Sequence, residues 1–171
     1  RSPPLPHPPS VPHPSRDRPP PTPALLRAAQ PPPLGGVLWL TGDVVFDPRV
    51  LDLVAERIAN GQSFVCVDHA SVAEEEVKYT LGDDGMINEL SKTVEGGLGE
   101  AVGINYVSAT DKTRLIVRLD ECDDQDYFER GIELAIEHDG LRFEPAAISE
   151  FQVVEVDFDD DLTRANAFLE K

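Results

Sequence analysis

The chain has 171 residues and a formal net charge of −17, which allows one domain with a real core and argues against nucleic acid as a partner. Fourteen of the sixteen prolines lie in residues 1–33, where apolar residues are scattered and follow neither a helical nor a strand period. That composition predicts a disordered arm with polyproline II character, and its four arginines against Asp17 give it +3, leaving −20 on residues 34–171. No apolar run approaches the roughly 20 residues that span a bilayer, and no secretory h-region stands at the start, so the reading is cytoplasmic with no membrane partner. Cys66 and Cys122 lack zinc-site spacing and read as reduced core residues.

From residue 34 onward, strands and helices alternate. Val37 to Thr41 reads as a buried strand ending in Gly42-Asp43, and Asp47 is expected to cap a helix with Pro48 at its first position and Leu51, Val54, Ala55 and Ile58 on one face. Asn60-Gly61 ends that helix and Ser63 to Val67 is a second buried strand. Glu75 to Leu81 and Met86 to Leu90 flank Gly82-Asp83-Asp84-Gly85, whose Asp-Gly suits the positive φ of a hairpin turn. Gly103 to Val107 is a strand. Ser108 or Thr110 is placed to cap a helix carrying Leu115, Ile116 and Leu119, and Asp126 to start another with Phe128, Ile132, Ala135 and Ile136 at helical spacing. Leu141 to Phe143 and Val153 to Val156 are the last expected strands. Asp159 to Asp161 then open a terminal helix, their charge suiting its dipole. The pattern is an α/β domain of αβα layers on a mixed sheet.

Ligands of open α/β sheets sit at the carboxyl ends of the strands, and two aspartates fall at such ends: Asp43, and Asp157 after Val153 to Val156. Two carboxylates facing each other across a cleft suit one Mg²⁺ whose other ligands are water and phosphate oxygens. A simple helix cap is the competing role for Asp157, because Asp159, Asp160 and Asp161 also precede the last helix.

The stretch from Leu38 to Ala165 resembles the nucleotidyltransferases, in particular the cytidylyltransferases that act on phosphocholine, inositol phosphate or aminoethylphosphonate-type acceptors. Gly42-Asp43-Val44-Val45-Phe46-Asp47 is similar to their metal-site strand end. Glu74-Glu75-Glu76-Val77-Lys78 with Ile87-Asn88-Glu89-Leu90-Ser91-Lys92 is similar to the hairpin that follows. Gly99 to Ile104 resembles the acceptor-side strand, Asp126-Tyr127-Phe128-Glu129 the next helix, and Glu155-Val156-Asp157-Phe158 with Asp161-Leu162 the closing metal motif. The five segments occur in the family's order.

The resemblance implies that Asp43 and Asp157 bind Mg²⁺ and that Lys92 meets the acceptor phosphate or phosphonate. Glu100 and Glu129 would meet an amine or hydroxyls of that acceptor. The implied reaction is Mg²⁺-dependent transfer of a nucleotidyl group from a nucleoside triphosphate, CTP in particular, with pyrophosphate released. The family also begins with a strand and a glycine-rich basic loop ahead of the Gly-Asp motif, where this sequence has the proline-rich stretch and Gly35-Gly36. The expected architecture is therefore an incomplete Rossmann-like αβα sandwich lacking its N-terminal nucleotide-binding part, active with a partner chain or oligomer, or else truncated and inactive. A non-catalytic binding protein of the same fold is the alternative. A metal-dependent glycosyltransferase stands third, because Asp43 is followed by Val44-Val45 and so does not open an Asp-x-Asp.

Overall fold

A computed structural model describes residues 35–69, 76–123 and 126–169; the arm expected over 1–33 and the first residues of the expected hairpin, including Glu75, lie outside the described residues. The elements run β1 (Val37–Leu40), β2 (Val44–Phe46), α1 (Val50–Ala59), β3 (Phe64–Asp68), β4 (Lys78–Leu81), β5 (Ile87–Ser91), β6 (Glu100–Val107), α2 (Lys112–Glu121), α3 (Glu129–Asp139), β7 (Glu144–Ala147), β8 (Val153–Glu155) and α4 (Asp159–Leu169).

Six strands form one mixed sheet in the order β5-β4-β6-β3-β7, with β1 also paired to β6. β3 lies parallel to β7 and antiparallel to β6. The period-two alternation of β3 divides the core. Phe64 and Cys66 turn to one face, where Val50 and Val54 of α1 join Ile104, Tyr106, Ala146 and Ile148. Val65 and Val67 turn to the other, against Leu115 and Leu119 of α2, Phe128 just ahead of α3, and Ile132 and Ala135 of α3. This is the expected αβα sandwich with a mixed sheet.

Several local expectations shift. Asp47 does not cap the helix: its Oδ1 accepts the Arg49 amide at 2.9 Å, closing a turn through Pro48, and the helix starts at Val50 with Arg49 at its N-cap and no side-chain cap. The buried face of α1 is Val50 and Val54, with Leu53 and Ile58 partly covered, whereas Leu51 and Ala55 are exposed. The hairpin forms as expected around Gly85 at φ 75°. Ser108 closes the turn leading into α2, its Oγ accepting the Asp111 amide at 3.3 Å, while the helix itself begins at Lys112 with Asp111 at its N-cap and no side-chain cap.

The strand expected at Leu141 to Phe143 is displaced to Glu144–Ala147, across Pro145. Proline is accommodated there because β7 is an edge strand: the amides of Glu144 and Ile148 donate to the carbonyls of Ser63 and Val67, while position 145 faces away from the sheet. Val153–Glu155 is not part of the main sheet. It pairs antiparallel with β2, a strand to which the sequence pattern assigns no element, to make a separate two-stranded ribbon. Cys66 is buried in the core with its thiol pushed up to about 12 by burial. Cys122 is not a core residue: it sits half-buried at the end of α2, its Sγ donating to the Arg118 carbonyl.

Candidate functional site

A cleft of about 980 Å³ opens where β3 and β5 end and β6 begins, with the β2–β8 ribbon and the start of α4 as its opposite wall. Its described lining carries six carboxylates, from Asp68, Glu76, Glu100, Glu155, Asp157 and Asp161, and two cations, Lys92 and Arg164. The main sheet builds the floor. Gly99 lets β6 start hard against β3, since a Cβ there would meet the Asp68 carbonyl at 2.2 Å. Gly103, at φ 72°, occupies the bulge where the β3–β6 register shifts between Val65 and Val67.

The ribbon places the two aspartates. Val44 pairs with Glu155, and the Val156 amide donates to the Asp43 carbonyl at 2.9 Å, so Asp43 and Asp157 leave the same end of one ribbon. They stand side by side, not on opposite cleft walls as the strand pattern suggested. Asp157 lines the cleft; Asp43 adjoins it beside the lining residue Val44. Capping falls to another residue: Asp161 Oδ2 accepts the amides of Phe158 at 2.9 Å and Asp157 at 3.2 Å, and its other oxygen pairs with Arg164. Hydrogen bonding to Arg164, followed by the Phe158 amide, holds the Asp161 carboxyl below the usual carboxylate range.

The other expected residues gather around the same cleft. Lys92, just beyond β5, and Glu100, the first residue of β6, line it. Glu129 opens α3 behind the lining, only 6 % exposed. Burial pushes the Glu129 carboxyl up to about 8; its own amide and Lys92 oppose this, while Glu155 and Glu76 add to it. Glu155 keeps contact with solvent, but its carboxyl faces into the concavity. Withdrawal of water and repulsion from Glu76, Asp157, Asp43 and Glu100 push it up to about 7. Solvent screens these effects at Glu155, so Glu129 marks the deeper point of electrostatic stress.

Sequence reading missed Asp68, Glu155 and Arg164 as lining residues. Asp68 carries the same signal as Asp43, an acidic residue at the end of an apolar strand, and could have been found by it. Among the described residues, no three His, Cys, Asp or Glu side chains form a group ready to hold a metal ion. No helix among them is long and apolar enough to cross a membrane.

The fold is shared with solved nucleotidyltransferases. The inositol-1-phosphate CTP transferase of T. maritima superposes with a TM-score of 0.66 at 11% identity, over 84% of this chain and 58% of that one. The CTP:phosphocholine cytidylyltransferase of Streptococcus pneumoniae gives 0.65 at 14% identity, over 88% and 64%. A putative glucose-1-phosphate thymidylyltransferase of Bacillus anthracis gives 0.63 at 15% identity, over 86% and 59%. This chain thus spans about three fifths of the length of these structures. No protein-family model matches the sequence, and no curated protein matches it.

Proposed function

We propose that the cleft is the metal- and acceptor-binding side of a nucleotidyltransferase site, working on a nucleoside triphosphate, CTP in particular, and a phosphorylated alcohol or phosphonate. The observation that carries this reading is the pairing of Asp43 and Asp157 at one end of the β2–β8 ribbon, beside a cleft that also holds Lys92 and Glu100. The fold of the solved nucleotidyltransferases supports it.

The donor set fits Mg²⁺. All the candidate ligands are hard carboxylate oxygens, and they crowd closely enough that burial, then repulsion among them, pushes the Glu155 carboxyl up to about 7. Mg²⁺ is commonly held by one or two carboxylates together with water and substrate phosphates, and Asp43 and Asp157 would supply two. When bound, the ion would neutralise phosphate charge at the reacting phosphorus.

This chain's residues would then position and balance charge. Asp43 and Asp157 would hold the ion, and Lys92 would take the acceptor's anionic group. Glu100 and the buried Glu129 would meet amine or hydroxyl groups at its other end. An acceptor oxygen would attack the α-phosphorus in line, forming the new phosphorus–oxygen bond as the bond to pyrophosphate breaks. Orientation and electrostatics supply most of the acceleration in such reactions. The two free thiols, Cys66 and Cys122, suit a reducing cytoplasmic setting.

The test is pyrophosphate release from the purified chain with Mg²⁺, a panel of nucleoside triphosphates and phosphorylated acceptors, run alone and with a polypeptide supplying the triphosphate-binding half. Release that Asp43→Ala and Asp157→Ala each abolish is the expected result. No release under either condition would leave a binding protein of this fold.

A further inference from the structure

Lys92 is unusual among the cleft's charges. Six carboxylates line the same space, yet among the described residues its ammonium forms no ion pair within 4.0 Å. The ammonium lies instead over the Tyr127 ring, 5.7 Å from the centroid. That ring is itself anchored: Tyr127 Oη and Ser91 Oγ share a hydrogen bond at 3.0 Å, and Ser91, buried at the end of β5, also meets Thr93 Oγ1 at 3.2 Å. Ser91 precedes Lys92 directly, so the strand end that carries the lysine also fixes the ring that seats its head. The other lining cation, Arg164, is committed to Asp161.

We propose that Tyr127 is a positioning residue: anchored through Ser91, it seats Lys92 on its ring face and keeps that charge available to an anionic group entering the cleft. An ammonium in so acidic a space would otherwise settle on a carboxylate, which neutralises it and fills a donor site. A ring face attracts the cation without offering a full negative charge, so an incoming phosphate or phosphonate displaces no ion pair. The inference rests on the nucleotidyl-transfer reading only for the identity of that anion.

Reductive methylation with ¹³C-formaldehyde makes NMR reporters of the four lysines, Lys78, Lys92, Lys112 and Lys171, and Lys92→Arg assigns the signal of interest. In the wild type the Lys92 methyl resonance is expected upfield, shifted by the ring current. It should return to a solvent-like position in Tyr127→Leu and stay upfield in Tyr127→Phe, with amide spectra reporting the fold of each. Inorganic phosphate, titrated with Mg²⁺ present, should move the Lys92 signal in all three proteins, with a Kd about threefold to tenfold weaker in Tyr127→Leu. A Lys92 signal indifferent to Tyr127→Leu, or one phosphate affinity across the three, overturns the proposal. Pyrophosphate release is scored separately on the same proteins. A wild type that releases none, alone or with the triphosphate-binding half supplied, defeats the nucleotidyl-transfer reading while the lysine signal still decides the seat. Where turnover occurs, Tyr127→Leu should raise the acceptor KM by a similar factor and leave kcat and the nucleotide KM unchanged.

Discussion

The amide of Val156 donates to the backbone carbonyl of Asp43 at 2.9 Å, and that one bond sets Asp157 beside Asp43 although most of the domain separates them in sequence. Their spacing is thus a property of backbone pairing and does not depend on the flexibility of either side chain. A cation held by both should stabilise the fold. Mg²⁺ or Mn²⁺ at a hundred times its dissociation constant should add about 2.7 kcal/mol to unfolding. Titrated thermal melts of the wild type, Asp43→Asn and Asp157→Asn would show it. A rise in Tm that survives both substitutions would place the cation elsewhere.

What could be read from the sequence follows from which interactions are local. β3, with Phe64 and Cys66 alternating against Val65 and Val67, and the hairpin about Gly82 to Gly85 are written in short-range periodicity and turn chemistry, and both form where expected. β2 and β8 are not. Val44-Val45-Phe46 is too short to signal a strand alone, and it becomes one only because Val153 to Glu155 arrives to pair with it. Pro145 concealed β7 for the same reason, since only its place at the sheet edge makes proline acceptable. Lys92, Glu100 and Asp157, picked out by ordered motifs, line one cleft, and Asp43 stands at the ribbon end beside it. Nothing local announces that Tyr127 would lie under Lys92, because their proximity depends on α3 docking against β5.

Glu129 should make stability depend on pH. Burial first, then repulsion from Glu155 and Glu76, pushes its folded carboxyl up to about 8, whereas in the unfolded chain it titrates in the usual range near 4.5. The native state therefore keeps a proton that the unfolded state has lost. This contribution is fully present below about 4.5, falls as pH rises through the window to about 8, and is then constant. Glu129→Gln removes the titration while keeping the shape. Urea unfolding at pH 5, 6.5 and 8 should show the variant gaining on the wild type as pH rises, by on the order of 2–4 kcal/mol across the window. Parallel curves for the two proteins would contradict a protonated Glu129.

Gly103 should tolerate no side chain. Its φ of 72° strains any L-residue, and a Cβ would lie 2.2 Å from Thr41 Oγ1 and 3.0 Å from Thr41 Cγ2, so neither a rotation nor a small shift relieves the clash. Thr41 is held in turn by the hydrogen bond its amide donates to the Gly103 carbonyl at 3.0 Å. Gly103→Ala is expected to cost roughly 2–4 kcal/mol, combining backbone strain with displacement of the β1–β6 pairing. Denaturant titration measures it. A loss under about 0.5 kcal/mol, the usual range for a neutral surface change, would show that the bulge relaxes freely.

Asp161 couples the helix start to the candidate metal ligand. Its Oδ2 accepts the Asp157 and Phe158 amides, which fixes the backbone on which the Asp157 carboxylate is mounted, while Asp157 contributes nothing to the cap. Asp161→Ala should free both amides, and their hydrogen exchange should accelerate at least tenfold while exchange in β3 is unchanged. Mg²⁺ affinity should fall by about threefold to tenfold, because a carboxylate on a fraying turn loses its fixed geometry. Asp161→Asn keeps an oxygen that can accept the same amides and loses the charge that pairs with Arg164, so it should recover most of the amide protection. It should also recover most of the Mg²⁺ affinity if positioning is what matters. An asparagine variant that restores protection but binds Mg²⁺ as poorly as alanine would show that the Asp161 charge itself attracts the cation.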